Sequence, residues 1–198
     1  MDTISVVTGT PLLGEPLPIE LANTIFTVRG RRRDGLATPA DLAGWLRHCG
    51  PRLDTPLAVA DLRSTGEAEA TAARDLRDTI RALLTATVSG RAPQARLPEA
   101  LNRQVRAAVR WRELRWDNGF RAEYRADVAP VTAALAELAA AAVDLFAGPD
   151  RADLRACHAP NCVLFFLKNH PRREWCSAGC GNRARVARHY ERVKKRHD

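Results

Sequence analysis

The sequence has few aromatic residues and no long apolar run, and both shortages narrow the classes of protein to which it can belong. Phe, Trp and Tyr make up only 6% of its 198 residues, which disfavours recognition of single-stranded RNA by base stacking. No apolar run is long enough to cross a bilayer, and residues 1–10 lack the basic start and apolar stretch of a signal peptide. We therefore expect a cytoplasmic protein without membrane contact.

Signatures of an active site are missing as well. There is no glycine-rich phosphate loop, and the acidic residues are scattered among arginines on helical faces. The serines occur in no recognisable nucleophile motif; they are Ser5, Ser64, Ser89 and Ser177. We therefore expect no enzymatic activity, although carboxylates that only folding brings together remain an open alternative.

Positive charge is concentrated at one end of the chain. Residues 150–198 hold 12 Lys and Arg against 5 Asp and Glu, whereas residues 1–149 hold 19 against 18. A local basic segment is typical of a surface that binds a polyanion, although it can also serve only to solubilise the segment. A second short cluster, with four arginines within residues 29–33, favours a solvated loop over a phosphate contact because Gly30 and Asp34 interrupt it.

The cysteines are also clustered. Cys157 and Cys162 are separated by four residues, Cys176 and Cys180 by three, and 13 residues separate the two pairs. Paired cysteines in a cytosolic protein more often bind metal than form disulfides. Four thiolates complete the tetrahedron of a structural zinc site and leave no position for substrate. Cys49, beside Leu46 in a helical pattern, is interpreted as a small buried hydrophobe.

Other interpretations of the cysteine cluster remain open at this level. Two disulfides, an iron–sulfur cluster or free thiols would use the same cysteines. His158 or His170 could replace one cysteine in a mixed ligand set. We predict one structural Zn²⁺, and we expect residues after 149 to be disordered without it because they contain too few apolar side chains for a core.

The remainder of the chain indicates a mainly α fold with a small β-hairpin (α+β). Thr38-Pro39 and Thr55-Pro56 each predict a helix start, with a break in the second helix near Gly66. A further helix runs from about Pro130 to Phe146 and would bury Leu135, Leu138, Val143 and Phe146. Gly148-Pro149 ends that helix and divides the chain into domains at 1–149 and 150–198.

Two segments are read as strands. Apolar residues alternate on both sides of Asp117-Asn118-Gly119, which predicts a β-hairpin that must pack on the helices or pair with another strand. Residues 25–28 form either an extra strand or the continuation of a preceding helix, and the pattern does not distinguish the two.

A basic helix is predicted from Gly181 onward. Val186, Tyr190 and Val193 recur at helical spacing and could pack as a stripe on the zinc turns. Cys180 would lie near the N-terminus of this helix, where the helix dipole favours a thiolate. Basic side chains would then face phosphates or the major groove. The predicted nucleic-acid contacts are Arg172, Arg173, Arg183, Arg185, Arg188, Arg192, Lys194 and Lys195.

The tetrapeptide Cys180-Gly181-Asn182-Arg183 resembles the signature of the CGNR zinc-finger family, and residues 172–176 and 184–190 also look like that finger. Residues 14–17, 21–24 and 36–42 are similar to the ABATE domain that usually precedes it. The resemblance implies zinc coordination by four cysteines and a role as a bacterial stress-related transcription regulator. Asn182 would cap the helix or donate to a cysteine sulfur, and Arg183 would either contact phosphate or hold the zinc turns together.

Two functions therefore compete. The first is a DNA-binding regulator whose residues 1–149 sense an unknown small-molecule ligand, dimerise or recruit a partner. The second is an interaction module that binds RNA or an acidic protein. We favour DNA because the aromatic residues of the basic segment are needed for packing, and a homodimer would allow two short modules to read paired half-sites.

Overall fold

The fold is mainly helical, with small antiparallel strand pairs, as predicted. The structure, a computed structural model, describes residues 5–7 and 10–194. Its helices are α1 (Leu17–Ala22), α2 (Pro39–Cys49), α3 (Val59–Arg63), α4 (Glu67–Val88), α5 (Arg96–Val105), α6 (Pro130–Ala147) and α7 (Ala178–Lys194). Its strands are β1 (Ser5–Val7), β2 (Thr10–Leu12), β3 (Ile25–Val28), β4 (Arg31–Asp34), β5 (Arg110–Trp116), β6 (Phe120–Ala126), β7 (Leu154–Ala156) and β8 (Phe165–Leu167). Each odd-numbered strand pairs antiparallel with the next strand.

The core forms around α6, which packs against α1, α3, α4 and α5. α6 has the length and composition of a membrane-spanning helix, contrary to our expectation that no run was long enough. Half of it is buried inside the protein, however, as in a core helix. Leu135 and Leu138 are buried as predicted, whereas Val143 and Phe146 are only partly buried and Leu145 takes the deeper position.

Gly148 ends α6, as predicted. A Cβ at this position would lie 2.7 Å from the carbonyl oxygen of Asp144, so this close approach at the end of the helix requires glycine. Cys49, at the end of α2, is buried in the helical core, which confirms its interpretation as a packed hydrophobe. Burial raises the pKa of its thiol to about 12, so it remains protonated.

One of the two predicted helix starts is correct. Thr38 caps α2, accepting a hydrogen bond from the backbone of Asp41 while the Asp41 carboxylate accepts one from the backbone of Thr38. The prediction at Thr55 is wrong, since α3 begins at Val59. Both the backbone N–H and the hydroxyl of Thr55 donate instead to the Glu137 carboxylate of α6, a distant partner that no local pattern reveals.

The break near Gly66 is confirmed, because α3 ends at Arg63 and Gly66 precedes α4. α5 was not predicted. Its apolar residues Leu97, Leu101 and Val105 recur every four residues and pack against the core, so this stripe was an available signal, although α5 starts without a side-chain cap.

Residues 25–28 form strand β3, which resolves the open alternative. α1 ends at Ala22, and β3 turns back into β4 through Arg29 and Gly30, both with positive φ. The prediction of a solvated loop at residues 29–33 was therefore wrong about the backbone, since residues 31–34 pair as a strand. It was correct about solvation, because all four side chains of β4 are exposed.

The hairpin of β5 and β6 is confirmed, with Trp116 opposite Phe120 across its turn. The expectation that it packs along the helices or joins another strand is wrong within the described residues. Leu114, Trp116 and Phe120 are 69%, 70% and 73% exposed. The base of the hairpin is held by Arg110, whose guanidinium lies 2.9 Å from the Glu137 carboxylate.

Candidate metal centre and nucleic-acid interface

The first cysteine pair lies on the turn between β7 and β8. The backbone N–H of Cys157 donates to the carbonyl of Leu164 at 2.8 Å, and that of Cys162 donates to Ala159 at 3.0 Å. Asn161 has a φ of 59°, a left-handed conformation that Asn tolerates better than most residues. The turn thereby directs both thiols to one side of the strand pair.

The second pair lies at the start of α7. This helix begins at Ala178 rather than at the predicted Gly181. Ser177 precedes it, and its hydroxyl accepts a hydrogen bond from the backbone N–H of Cys180 at 3.3 Å, as an N-cap does. Cys180 therefore lies in the first turn, where the helix dipole favours a thiolate.

The four sulfurs meet in one cluster. All lie within 4.8 Å of one another, and three of the separations are 3.8 Å (Cys162 to Cys176), 3.3 Å (Cys176 to Cys180) and 3.7 Å (Cys162 to Cys180). A tetrahedron with Zn–S bonds of about 2.3 Å has edges of roughly 3.8 Å. The cluster therefore fits one structural Zn²⁺ with four thiolate ligands, and none of these separations approaches an S–S bond of about 2.0 Å.

Hydrogen bonds among the four thiols, those with Cys157 foremost, raise the pKa values of Cys162 and Cys176. Hydrogen bonds with Cys162 and Cys176, in contrast, lower the pKa of the Cys157 thiol to about 7. Those from Cys157, Cys162 and Cys176 lower the pKa of Cys180. Among the residues that the structure describes, the metal-binding group contains only these four cysteines, so neither His158 nor His170 joins it.

The residues after Cys180 have separable roles. A Cβ on Gly181 would lie 3.0 Å from Cδ1 of Trp175, so the absence of a side chain lets the indole pack on the helix. Arg183 donates to the Cys180 sulfur at 3.0 Å. Because four thiolates and Zn²⁺ leave a net negative charge, this guanidinium stabilises the centre. Asn182 is exposed and accepts a hydrogen bond from Arg185, and the cap is Ser177.

The structure places Arg173, one of the predicted nucleic-acid contacts, in internal contacts. Its guanidinium donates to the Glu15 carboxylate and to the carbonyls of Leu167 and Cys176, and it lies over the Phe166 ring. Because Glu15 is buried, this ion pair fastens the second cysteine turn to the segment before α1. Sequence reasoning noted Glu15 only within a family motif; a lone acid in an apolar stretch was the available signal.

A second buried carboxylate orders the same segment. Glu20 is fully buried and accepts hydrogen bonds from the backbone N–H groups of Leu13 and Glu15, at 3.0 and 2.7 Å. Burial raises its pKa to about 7, and it also raises that of Glu15. Glu20 thus orders the loop before α1, and Glu15 joins that loop to β8. The second carboxylate oxygen of Glu15 accepts a hydrogen bond from the backbone N–H of Leu167 at 2.9 Å.

Three arginines form an exposed row along α7. Arg185, Arg188 and Arg192 follow the i, i+3, i+7 spacing that places side chains on one face of a helix. Arg172 and Lys194 are exposed too, whereas Lys195 lies outside the described residues. The structure therefore brings the row together, holds Arg173 in internal contacts, and places Arg183 against the metal centre.

The apolar stripe of α7 does not pack on the zinc turns as expected. Val186, Tyr190 and Val193 are 53%, 69% and 40% exposed. The helix contacts the module through Cys180, Gly181 and Ala184 instead, which are its buried residues. The periodicity correctly predicted a helix, but not which face is covered.

Comparison with known families agrees with this geometry. The ABATE model, described as "Putative stress-induced transcription regulator", matches residues 15–149. The model of the CGNR zinc finger matches residues 154–193. A search of curated proteins found no match.

Proposed function

This chain belongs to the ABATE family and carries a CGNR zinc finger, and on that premise we propose that it is a cytoplasmic DNA-binding transcription regulator. The finger binds duplex DNA through α7, and one structural Zn²⁺ holds that helix in place. The proposal assigns no catalytic step to the protein. It rests chiefly on the exposed row of Arg185, Arg188 and Arg192 on a helix whose first turn carries a metal ligand.

The position of the arginine row on α7 supports recognition of DNA. A guanidinium can make bidentate contacts to phosphate or to guanine in the major groove. The row is fixed relative to the rest of the protein, because Arg173 ties the second cysteine turn to Glu15. A rigid platform lowers the entropy lost when side chains bind in one register.

The test is a random-duplex selection with the zinc-loaded protein at near-physiological salt. We expect an enriched motif that is lost in Cys176→Ser and in the triple variant Arg185→Ala, Arg188→Ala and Arg192→Ala. The matched control removes three arginines from the β5–β6 hairpin, at positions 115, 121 and 125, where ion pairs with acidic side chains occupy them. Equal losses in both triple variants would indicate only nonspecific charge, and retention of no duplex would reject DNA binding.

We also propose that two copies associate through the β5–β6 hairpin. One face of this hairpin carries Leu114, Trp116 and Phe120, whereas Arg115, Glu123 and Arg125 pair on the other. These three apolar side chains are exposed and carry no charge, so two copies can bury them against each other about a two-fold axis. We expect Trp116→Ser to yield a monomer in light scattering and Arg121→Ser to keep the dimer; a monomeric wild type would contradict this.

A further inference from the structure

The hairpin of β3 and β4 is held in an unusual turn. Val28 pairs with Arg31, so Arg29 and Gly30 form a two-residue loop with φ values of 49° and 76°. Such a loop needs positive φ at both positions and normally takes Asn or Asp followed by Gly. An arginine at the first position strains the backbone, so the tip carries a charge at the expense of local stability.

The charges on this hairpin have no partners within the described residues. Arg29, Arg31, Arg32 and Arg33 are all exposed, and no side chain among them forms a hydrogen bond or ion pair with the described part of the chain. The acid of the hairpin, Asp34, is paired with Arg77 instead. The arginines of the β5–β6 hairpin, by contrast, lie beside Glu113, Asp117 and Glu123. Clustered, unneutralised like charges repel one another and favour binding of a polyanion.

The hairpin is continuous with the zinc module. Phe26 of β3 packs in the same buried cluster as Cys157, Cys176 and Cys180. A cleft of about 220 Å³ is lined by Phe26 and Val28 on one side and by Cys180 and Arg183 on the other. The basic hairpin and the first turn of α7 therefore flank one cleft.

Arg81 of α4 reinforces this junction. Its guanidinium donates to the carbonyl of Ala22, just before β3, at 2.6 Å and to that of Val163, between the cysteine turn and β8, at 3.1 Å. One side chain thus holds the entry to the hairpin and the zinc module together. The two basic elements are expected to approach a polyanion as one rigid surface.

We propose that the β3–β4 hairpin is a second arm of the nucleic-acid interface, in which Arg29, Arg31 and Arg33 bind phosphates of the same duplex that α7 binds. This inference rests on the proposed function. Phosphate contacts position a protein on DNA without reading its sequence. The hairpin therefore supplies affinity and salt dependence, whereas the α7 row supplies sequence preference.

The experiment measures the Kd for the selected duplex and for a scrambled duplex from 50 to 200 mM salt. The hairpin variant is Arg29→Asn, Arg31→Thr and Arg33→Thr, which keeps the turn and strand propensities. The plot of log K against log salt has a negative slope, and losing three phosphate contacts makes that slope shallower by about 2.7. We expect that change with both duplexes and with an unchanged preference between them, whereas the matching Arg→Lys triple variant retains the slope.

The control with Arg115→Thr, Arg121→Thr and Arg125→Thr removes the same charge elsewhere. This control should keep the salt slope of the wild type. If the β3–β4 variant had the same slope as the control, with wild-type zinc content and thermal stability, the second arm alone would be overturned. If the α7 variant bound as the wild type does, the proposed function would fail instead. If the wild type bound no duplex, both would fail.

Discussion

The side-chain amide of Asn23 pairs with the backbone of Phe165, 142 residues away in the chain. Its amide nitrogen donates to the carbonyl of Phe165, and its oxygen accepts from the N–H of Phe165, both at 2.9 Å. This is the hydrogen-bonding pattern of a neighbouring strand, supplied by one side chain. Asn23 thereby satisfies the free edge of β8 and joins the end of α1 to the zinc module.

Asn23→Ala should destabilise the protein by about 2–4 kcal/mol, because it leaves one buried donor and one buried acceptor unpaired. Urea unfolding followed by tryptophan fluorescence measures the change. Asn182→Ala, at an exposed position of α7, should stay within about 0.5 kcal/mol of wild type. Similar values for the two variants would contradict a structural role for the Asn23 pairing.

Arg172→Ala and Arg173→Ala should differ, although the residues are neighbours. Arg173→Ala leaves the buried Glu15 carboxylate unpaired and should cost about 3 kcal/mol of stability, whereas Arg172→Ala should weaken only duplex binding. Thermal unfolding and duplex affinity separate the two effects. Adding Glu15→Gln should recover part of the loss in Arg173→Ala, and no recovery would show that the ion pair is not its source.

Zinc removal should release only part of the C-terminal segment. Leu154 and Phe165 are buried in the same core as the helices, so β7 and β8 should stay protected without metal, whereas residues after 170 lose their metal anchor and keep the ion pair of Arg173 with Glu15 as a remaining link. The sequence alone predicted disorder of the whole segment after 149. Chelator titration followed by trypsin should therefore give new cleavage at Arg172, Arg183 and Arg185, with residues 154–167 intact.

Resistance of the whole segment after the metal is gone would show that zinc does not hold it. Cleavage throughout residues 154–167 would restore the expectation drawn from the sequence. Cys49→Ala, which changes a buried cysteine outside the cluster, serves as the control and should retain the zinc requirement.

Stability should fall as pH rises from 4.5 to about 7, in part because of Glu20. Its pKa is raised from 4.5 to about 7 in the folded protein, so folding is favoured while the carboxyl is protonated. The benefit is fully present below 4.5 and is lost as pH passes through about 7, a change of roughly 3 kcal/mol at most.

Glu20→Gln keeps an acceptor for the backbone of Leu13 and Glu15 without titrating. Unfolding free energies across this pH range should therefore decline less in the variant than in the wild type. Parallel pH profiles would show that Glu20 does not titrate in the folded state.

The amino-acid sequence by itself determined the four zinc ligands, the start of α2, the end of α6 and the β5–β6 hairpin. Each depends on residues close together in the chain, such as a capping box, a glycine stop, a turn or a cysteine spacing, so local geometry suffices. The same holds for α7 as a helix, because its apolar period is local.

Only the tertiary structure decided which side chains remain free to bind. Arg173 is occupied because Glu15 lies against it, and Thr55 caps no helix because Glu137 accepts its donors. Asp34 faces Arg77, so the side chains of the β4 arginines have no acidic partner among residues 5–7 and 10–194. These outcomes join residues far apart in sequence. Burial and pairing depend on the whole fold, and a linear pattern of charge does not specify them.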